Sequence, residues 1–472
     1  MKKRRLLCLT VVLLAILQMI PFGVFANENT ELDTSIVAGC RTFDGKVPLY
    51  GSEKILETAQ SAMLYEASSN TVMYAWNPDE RVPPASLVKI MTCMLVLENC
   101  DIREKVTVTQ SAMSTIQQTS ATLKLVAGEE FTVDQLLYGL MVGSANDAAV
   151  VLAEHVAGSQ EAFVAMMNQR SAELGCKDTN YTNVHGLHDD AQFTTARDVV
   201  RLVSEAMKSE QFMEYFGRTS FTIPATNQSE ERRVETTNYL ATIGTPLYYD
   251  SRVTGGRTGI TTDSKRSIVA TAKSGDLNYI SVVLSAVPRL NEDGIVKRFG
   301  NYEEAKQLLN MGFEGHRMCQ VLYEGQILTQ FNVNNGKNAV SIGPINSVSV
   351  ALPANVKIED LVVRFGNMSG SLEAPVEAGE QITAVEVWHG SVCVAYSPVV
   401  TLNGSKKNTG SGLLENRYGA SSKVWVVILI IALLAVLGFG GYVLVRRAFR
   451  GVQNVKVQMR YKKRRADRRR TK

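Results

Sequence analysis

The spacing of hydrophobic positions changes character several times along this 472-residue chain. Two short apolar runs, Ser61-Ala-Met-Leu-Tyr-Glu-Ala67 and Thr71-Val-Met-Tyr-Ala-Trp76, flank Ser-Ser-Asn and predict a β-hairpin. Pro83-Pro84 then punctuates the chain, and Leu87, Ile90, Met91, Met94, Leu95 and Leu97 recur at helical spacing. Thr132 and Gln135 have the spacing of a capping box and open a helix through Leu140. Gly143 to Asn146 breaks it, and a second helix is expected from Asp147 to Val156. Ser159 is placed to cap another that ends near Gly175, and Thr195 with Asp198 to open one more through about Met207. Strand-like runs return at Ser267–Ala272 and Tyr279–Ala286, joined by Ser-Gly-Asp, before a helix from Glu303 to Gly312. Strands at both ends with helices between them predict an α+β fold. Its single sheet is built from distant segments, with a helical lobe inserted.

From about 316 to 402 the helical period disappears. Alternation dominates in Ala339–Gly343, Ser347–Leu352, Asp360–Phe365, Ile382–Trp388 and Val392–Tyr396, which predicts a small all-β domain with its own core. The segment from Asn403 to about Ser422 is rich in Gly, Ser, Asn and Lys and reads as a flexible tether.

Two apolar runs set the expected address of the protein. Leu6 to about Phe25 follows a basic start, Met1-Lys-Lys-Arg-Arg5, and ends in Val24-Phe25-Ala26, the pattern of a secretory signal peptide cut after Ala26. Val424 to Val445 is 22 residues without a charge, enough to span a hydrocarbon core. The 27 residues after it hold 13 Lys or Arg and one acid, Asp467. The positive-inside bias puts this tail in the cytoplasm and the body outside, anchored in the cell membrane by one helix. Basic charge beside a membrane is topogenic, so nucleic acid is not an expected partner of the tail.

The formal charge of +4 conceals an acidic body. Without the signal and the tail, 33 basic residues face 45 acidic ones, which argues against a polyanion-binding surface on the exported part. Six cysteines remain after removal of Cys8: Cys40, Cys93, Cys100, Cys176, Cys319 and Cys393. They form no C-x-x-C and no paired framework; an exported protein of this size can hold disulfides, but scattered single cysteines are more often buried thiols. The five histidines show no metal-ligand spacing, and neither metal nor cofactor is expected.

Three polar motifs carry the chemistry. They are Ser86-Leu-Val-Lys89, Ser144-Ala-Asn146 and Arg257-Thr-Gly259. A serine hydroxyl is a poor nucleophile until a base holds its proton. At helical spacing Lys89 lies one turn from Ser86, and a desolvated lysine near other cations can serve as that base. Each motif alone has an ordinary structural explanation: a helix cap for Ser86, helix-break chemistry for Ser144 and Asn146, a strand beginning for Arg257. Their occurrence together and in order points to acyl transfer from a peptide carbonyl to Ser86. Ser144 can relay a proton to the leaving amine, and Asn146 can bind substrate or Lys89. Thr258 offers a hydroxyl to a substrate carboxylate, Gly259 permits close approach of another chain, and Arg257 supplies fixed positive charge for carboxylate binding and for depressing the Lys89 pKa.

With these motifs in place the chain resembles the low-molecular-weight penicillin-binding proteins, the serine D-Ala-D-Ala carboxypeptidases of bacterial walls. The likeness extends to Arg81–Thr92, Ser144-Ala-Asn-Asp-Ala-Ala149, Asn183-Val-His-Gly-Leu187 and Leu372-Glu-Ala-Pro-Val376. It implies a five-stranded antiparallel sheet with a helical lobe, followed by a β-sandwich-like domain. It implies Ser86 as the acylated nucleophile, Lys89 as base, Ser144 and Asn146 as the second catalytic element, and the Ser86 and Ile260 N–H groups as oxyanion hole. The implied partners are a peptidoglycan stem peptide as substrate and β-lactams as acylating inhibitors. The expected layout is signal peptide 1–26, spacer 27–50, catalytic domain 51–315, β-rich domain 316–402, linker 403–423, membrane helix 424–445 and basic tail 446–472.

Three features depart from that family. Arg257 stands where it has lysine, and Asn301 stands where it commonly has an arginine for the substrate carboxylate, with Arg298 and Arg289 nearby. The anchor is a full span where many relatives have an amphipathic helix. A serine β-lactamase and a weakened, peptide-binding scaffold are the competing readings.

Overall fold

The computed structural model describes residues 53–114, 121–263, 265–366 and 372–408, with Phe439 and Tyr442. The expected signal peptide, spacer, basic tail and most of the linker and apolar span lie outside the described residues. Among the described residues no helix is long and apolar enough to cross a membrane.

The hairpin forms as expected, with β1 at Ser61–Glu66 and β2 at Thr71–Trp76. Its partners come from far along the chain: β3 at Val253–Ile260, β4 at Arg266–Ser274 and β5 at Leu277–Ala286. The five make one antiparallel sheet in the order β2-β1-β5-β4-β3, with Ser61 opposite Leu284. Strand β3 is thus an edge strand.

Side chains alternate across this sheet, and both faces are apolar. Met63, Val269, Ile280, Val282 and Leu284 pack into a core shared with the helical lobe. Ala62, Leu64, Ile268, Ala270 and Val283 join a second core with Leu308 and Leu309. Those two leucines belong to the closing helix, Gly300–Gly315.

The lobe contains α1 (Val88–Asn99), α2 (Val133–Met141), α3 (Asn146–Ala157), α4 (Gln160–Glu173), α5 (Ala196–Ala206) and α6 (Glu210–Gly217). The closing helix is α7. The expected caps are present. Thr132 Oγ1 accepts from Gln135 N at 3.2 Å while Gln135 Oε1 accepts from Thr132 N at 2.8 Å. Ser159 Oγ accepts from Ala162 N and Thr195 Oγ1 from Asp198 N, capping α4 and α5 without the reciprocal bond. Helix α1 is buried from Val88 through Val96 on every face, Lys89 included, so it forms the centre of the lobe.

After α7, Thr329–Phe331 (β6), Val340–Pro344 (β7), Val362–Phe365 (β8), Gln381–His389 (β9) and Val392–Thr401 (β10) form a second sheet in the order β6-β7-β10-β9-β8. By packing, these strands fall in one compact unit with everything described before them. A smaller unit holds Asn332–Ala339, Leu372–Val376 and the described residues from Gly404 onward, with Val333–Asn334 paired in parallel with Leu372–Glu373. Cys93, Cys100, Cys176 and Cys319 are free thiols; Cys393 departs from the expected pattern and is disulfide-bonded.

Candidate active site

Ser86 lies in a single 3-10 turn, Ala85–Leu87, that runs into α1. Ala85 has a φ of 47°, a left-handed value that costs a residue with a Cβ about 1–2 kcal/mol. Two glycines leave room for the turn. A Cβ on Gly259 of β3 would stand 2.9 Å from Ala85 Cβ and 3.2 Å from Ser86 N. Gly186, at φ +91°, lies against the Ala85 carbonyl closely enough to exclude any side chain.

The turn brings Ser86 Oγ within 3.1 Å of Lys89 Nζ and 3.4 Å of Ser144 Oγ. Lys89 is fully buried and also donates to the His185 carbonyl. Burial is the main force holding its amine well below the ordinary lysine pKa, and the Arg257 charge pushes in the same direction. Asp147 opposes them from nearby. The His185 ring, buried beside Lys89, is depressed from 6.5 to about 4 and is neutral at pH 7.

Ser144 sits in the break between α2 and α3 with a left-handed φ of 59°, and Asn146 begins α3 with its side chain buried. The break is pinned by Asp147, which the motif reading passed over. Its carboxylate accepts from Leu123 N at 3.0 Å, Leu125 N at 3.2 Å and Ala148 N at 2.9 Å. Desolvation raises its pKa, while these hydrogen bonds favour the charged form.

Arg257 is only 3% exposed, and its guanidinium donors go to protein atoms. Nε donates to the Ser86 carbonyl at 3.2 Å, Nη1 to the Met141 carbonyl at 2.8 Å, and Nη2 to Ser144 Oγ. Two motif residues, Ser86 and Ser144, and the end of α2 at Met141 are therefore held by one planar cation, whose fork of donors reaches more acceptors than a lysine amine would. Burial lowers its pKa to about 10, which leaves it charged at neutral pH.

The other β3 residues alternate about Arg257. Thr258 lies opposite Ile268, on the α7 side of the sheet, and its hydroxyl pairs with that of Thr237. Thr261 N donates to Lys265 O at 3.0 Å. By the alternation of an antiparallel ladder, the Ile260 N–H then points to the open edge, as does no neighbour on either side of it. A cleft beside this edge is lined by Pro84, Ala85, Gly186, Leu187, Ile260 and Thr261. A roomier hollow, lined by Tyr65, Asn70, Arg201, Glu205, Lys208 and Asn278, shares no residue with the cluster. Among the described residues one group of potential metal ligands comes together, Cys100, Glu104 and His155. It is not part of this site.

Residues 52–287 match the family described as D-alanyl-D-alanine carboxypeptidase, and residues 317–407 match the C-terminal domain of penicillin-binding protein 5. The chain belongs to the D-alanyl-D-alanine carboxypeptidase family. The carboxypeptidase DacA of Haemophilus influenzae is 30% identical over 342 residues, covering 70% of this chain and 80% of that protein. DacF of Bacillus subtilis is 27% identical over 363 residues, covering 75% and 88%. Among solved structures, penicillin-binding protein 5 of Haemophilus influenzae superposes with a TM-score of 0.63 at 27% identity, over 76% of this chain and all of that one. The carboxypeptidase family thus accounts for both the Ser-Lys cluster and the β-rich region after α7.

Proposed function

We propose that this carboxypeptidase-family enzyme removes the terminal D-Ala from peptidoglycan stem peptides through an acyl-enzyme on Ser86. The observation that carries the reading is the 3.1 Å approach of Ser86 Oγ to a buried lysine amine whose pKa is well lowered. Such an amine is neutral often enough to accept a proton. Ser86 Oγ attacks the scissile carbonyl carbon as Lys89 Nζ takes its proton. The carbonyl oxygen gains the negative charge and is received by the Ser86 and Ile260 N–H groups. Ser144, bonded to both Ser86 and the charged Arg257, passes a proton to the leaving amine as the C–N bond breaks. Free D-Ala departs, and water then attacks the ester, returns a proton to the site and restores Ser86. Asn146, buried at the start of α3, is suited to orient the substrate amide. A β-lactam presents a strained amide to the same hydroxyl and remains as a stable ester.

The same proposal includes address. The apolar start, the 22-residue span and the basic tail support an exported body tethered to the cell membrane, with the tail inside. The two family matches support a catalytic domain ending before 316 and a β-rich domain to about 402.

The test uses the full chain in detergent. It is expected to release D-Ala from a model peptide ending in D-Ala-D-Ala and to take a labelled penicillin on Ser86. Ser86→Ala should abolish both. Fast hydrolysis of the penicillin would replace this reading with a β-lactamase, and absence of label and of D-Ala would leave only a peptide-binding scaffold.

A further inference from the structure

A carboxypeptidase has a requirement that an endopeptidase lacks: the residue it releases carries a free carboxylate. Drawn into a cleft, that carboxylate needs a cation with geometry to spare. The motif arginine is not available, because Arg257 is buried and committed to Ser86, Met141 and Ser144. Just before α7 the two arginines are also engaged, while Lys297 is an exposed residue of the strand Val296–Phe299. Arg289 pairs with Glu57 at 2.6 Å, and Arg298 pairs with Glu303 at 2.7 Å. Lys265 pairs with Asp263 at 2.9 Å. At the start of α7 itself stands Asn301, neutral and 1% exposed, with a buried Oδ1 that has no hydrogen-bond partner among the described residues.

Arg266 is different. It begins β4 directly opposite Ile260, and Thr258 lies opposite Ile268. Period two places Thr258, Ile260, Arg266 and Ile268 on one face, and Arg266 is the diagonal neighbour of Thr258, within reach of a long side chain. Its guanidinium lies 4.1 Å from the ring centre of Phe299, the residue that precedes α7. Among the described residues it has no carboxylate partner and donates no hydrogen bond. The ring fixes the plane of the cation while leaving its edge free. Thr258 and Thr237 share one hydrogen bond between two hydroxyls, so one O–H of the pair is left to donate onward.

We infer that Arg266, with the Thr258 hydroxyl, receives the terminal carboxylate of the substrate. The cation comes from strand β4 and fills the place beside α7 that the neutral Asn301 leaves without charge. This rests on the carboxypeptidase reading and names the residue that makes the site specific for a free C-terminus.

The experiment compares a model peptide ending in D-Ala-D-Ala with the same peptide as its C-terminal amide, using the full chain in detergent. Arg266→Ala should lower kcat/KM for the acid about 30-fold, the size of one lost charge-assisted hydrogen bond. It should change the amide by less than about threefold, so the preference for acid collapses. Arg266→Lys should keep part of that preference, and adding Asn301→Arg to Arg266→Ala should restore it from the other side. Thermal unfolding of each variant separates recognition from folding. Equal losses on acid and amide, or no loss on either, overturn the assignment while leaving the carboxypeptidase reading intact. A wild-type chain inactive on both peptides overturns the reading and the assignment together.

Discussion

Along β3, the residues that face the helical lobe and those that face α7 meet different surroundings. On the lobe side Arg257 is sealed among backbone carbonyls and Ser144, and Gly259 lies against the Ser86 turn. On the other side the exposed Ile260 lines the cleft, the Thr258 hydroxyl pairs with that of Thr237, and Arg266 lies over the Phe299 ring with no carboxylate partner among the described residues. Both sides carry an arginine, and burial decides what each can do. A guanidinium out of water with three protein acceptors is a fixture: it holds two motifs together and biases the titration of Lys89. A guanidinium resting on a ring with its edge open is a receptor. Charge type alone does not distinguish these roles; the partners do.

The comparison is broken most severely from the lobe side. Lys89→Met removes the base and leaves Ser86 without a proton acceptor. Acylation by a labelled penicillin, followed in time, should slow by about four orders of magnitude. Arg257→Met should slow it about a hundredfold and shift its pH profile. The active form of Lys89 is the free amine, so the rate rises with pH through the Lys89 pKa. Arg257 holds that pKa down, and removing the charge must move the rising limb to higher pH. Arg257→Lys keeps the charge, so its limb should stay in place and its rate within about tenfold of wild type; a displaced limb would refute the electrostatic role. Gly259→Ala adds a Cβ against Ala85, and a roughly tenfold drop in kcat is expected from a slightly misplaced Ser86.

A separate effect falls on stability and not on rate. His185 is held neutral in the fold, with its pKa lowered from 6.5 to about 4. The unfolded chain therefore binds the proton first as pH falls. Stability is complete above about 6.5 and declines toward 4, by about 3 kcal/mol if the whole shift is realised. Urea midpoints at pH 7 and pH 5 should differ more for wild type than for His185→Gln, and equal differences would place the acid sensitivity elsewhere.

Much of the fold is legible in local sequence, because hairpins, caps and apolar periods are local events. Thr132, Ser159 and Thr195 make the hydrogen bonds that their spacing implies. Strand β3 is harder to read. Val-Thr-Gly-Gly-Arg-Thr-Gly-Ile lacks the apolar alternation of its neighbours, since its glycines serve close approach rather than packing. The motif letters likewise locate Ser86, Lys89, Ser144 and Arg257 without giving their partners. The left-handed Ala85 packs closely against Gly186 and Gly259, which lie far along the chain, and nothing in its own neighbourhood signals it. Asp147 is hidden by its position beside Asn146 inside a motif, though a carboxylate at the start of an apolar helix is a recognisable anchor for loop amides. Arg266 carries no motif at all. Its only sequence signal is a cation at the threshold of a strand with an apolar centre, Ile268–Ala270.

The order of the strands has a consequence for how the protein is born. The first hairpin is made early, yet β1 waits for β5 to cover its second edge, and Ser86 is separated from Arg257 by 171 residues. Contacts so distant close late and slowly. A chain still emerging, or one cut short before β3, therefore holds a serine and a lysine but not the cation that assembles them. The Ser86 site is thus assembled only once the chain has been made through β3, past its midpoint, and shorter copies lack the cation that joins its parts.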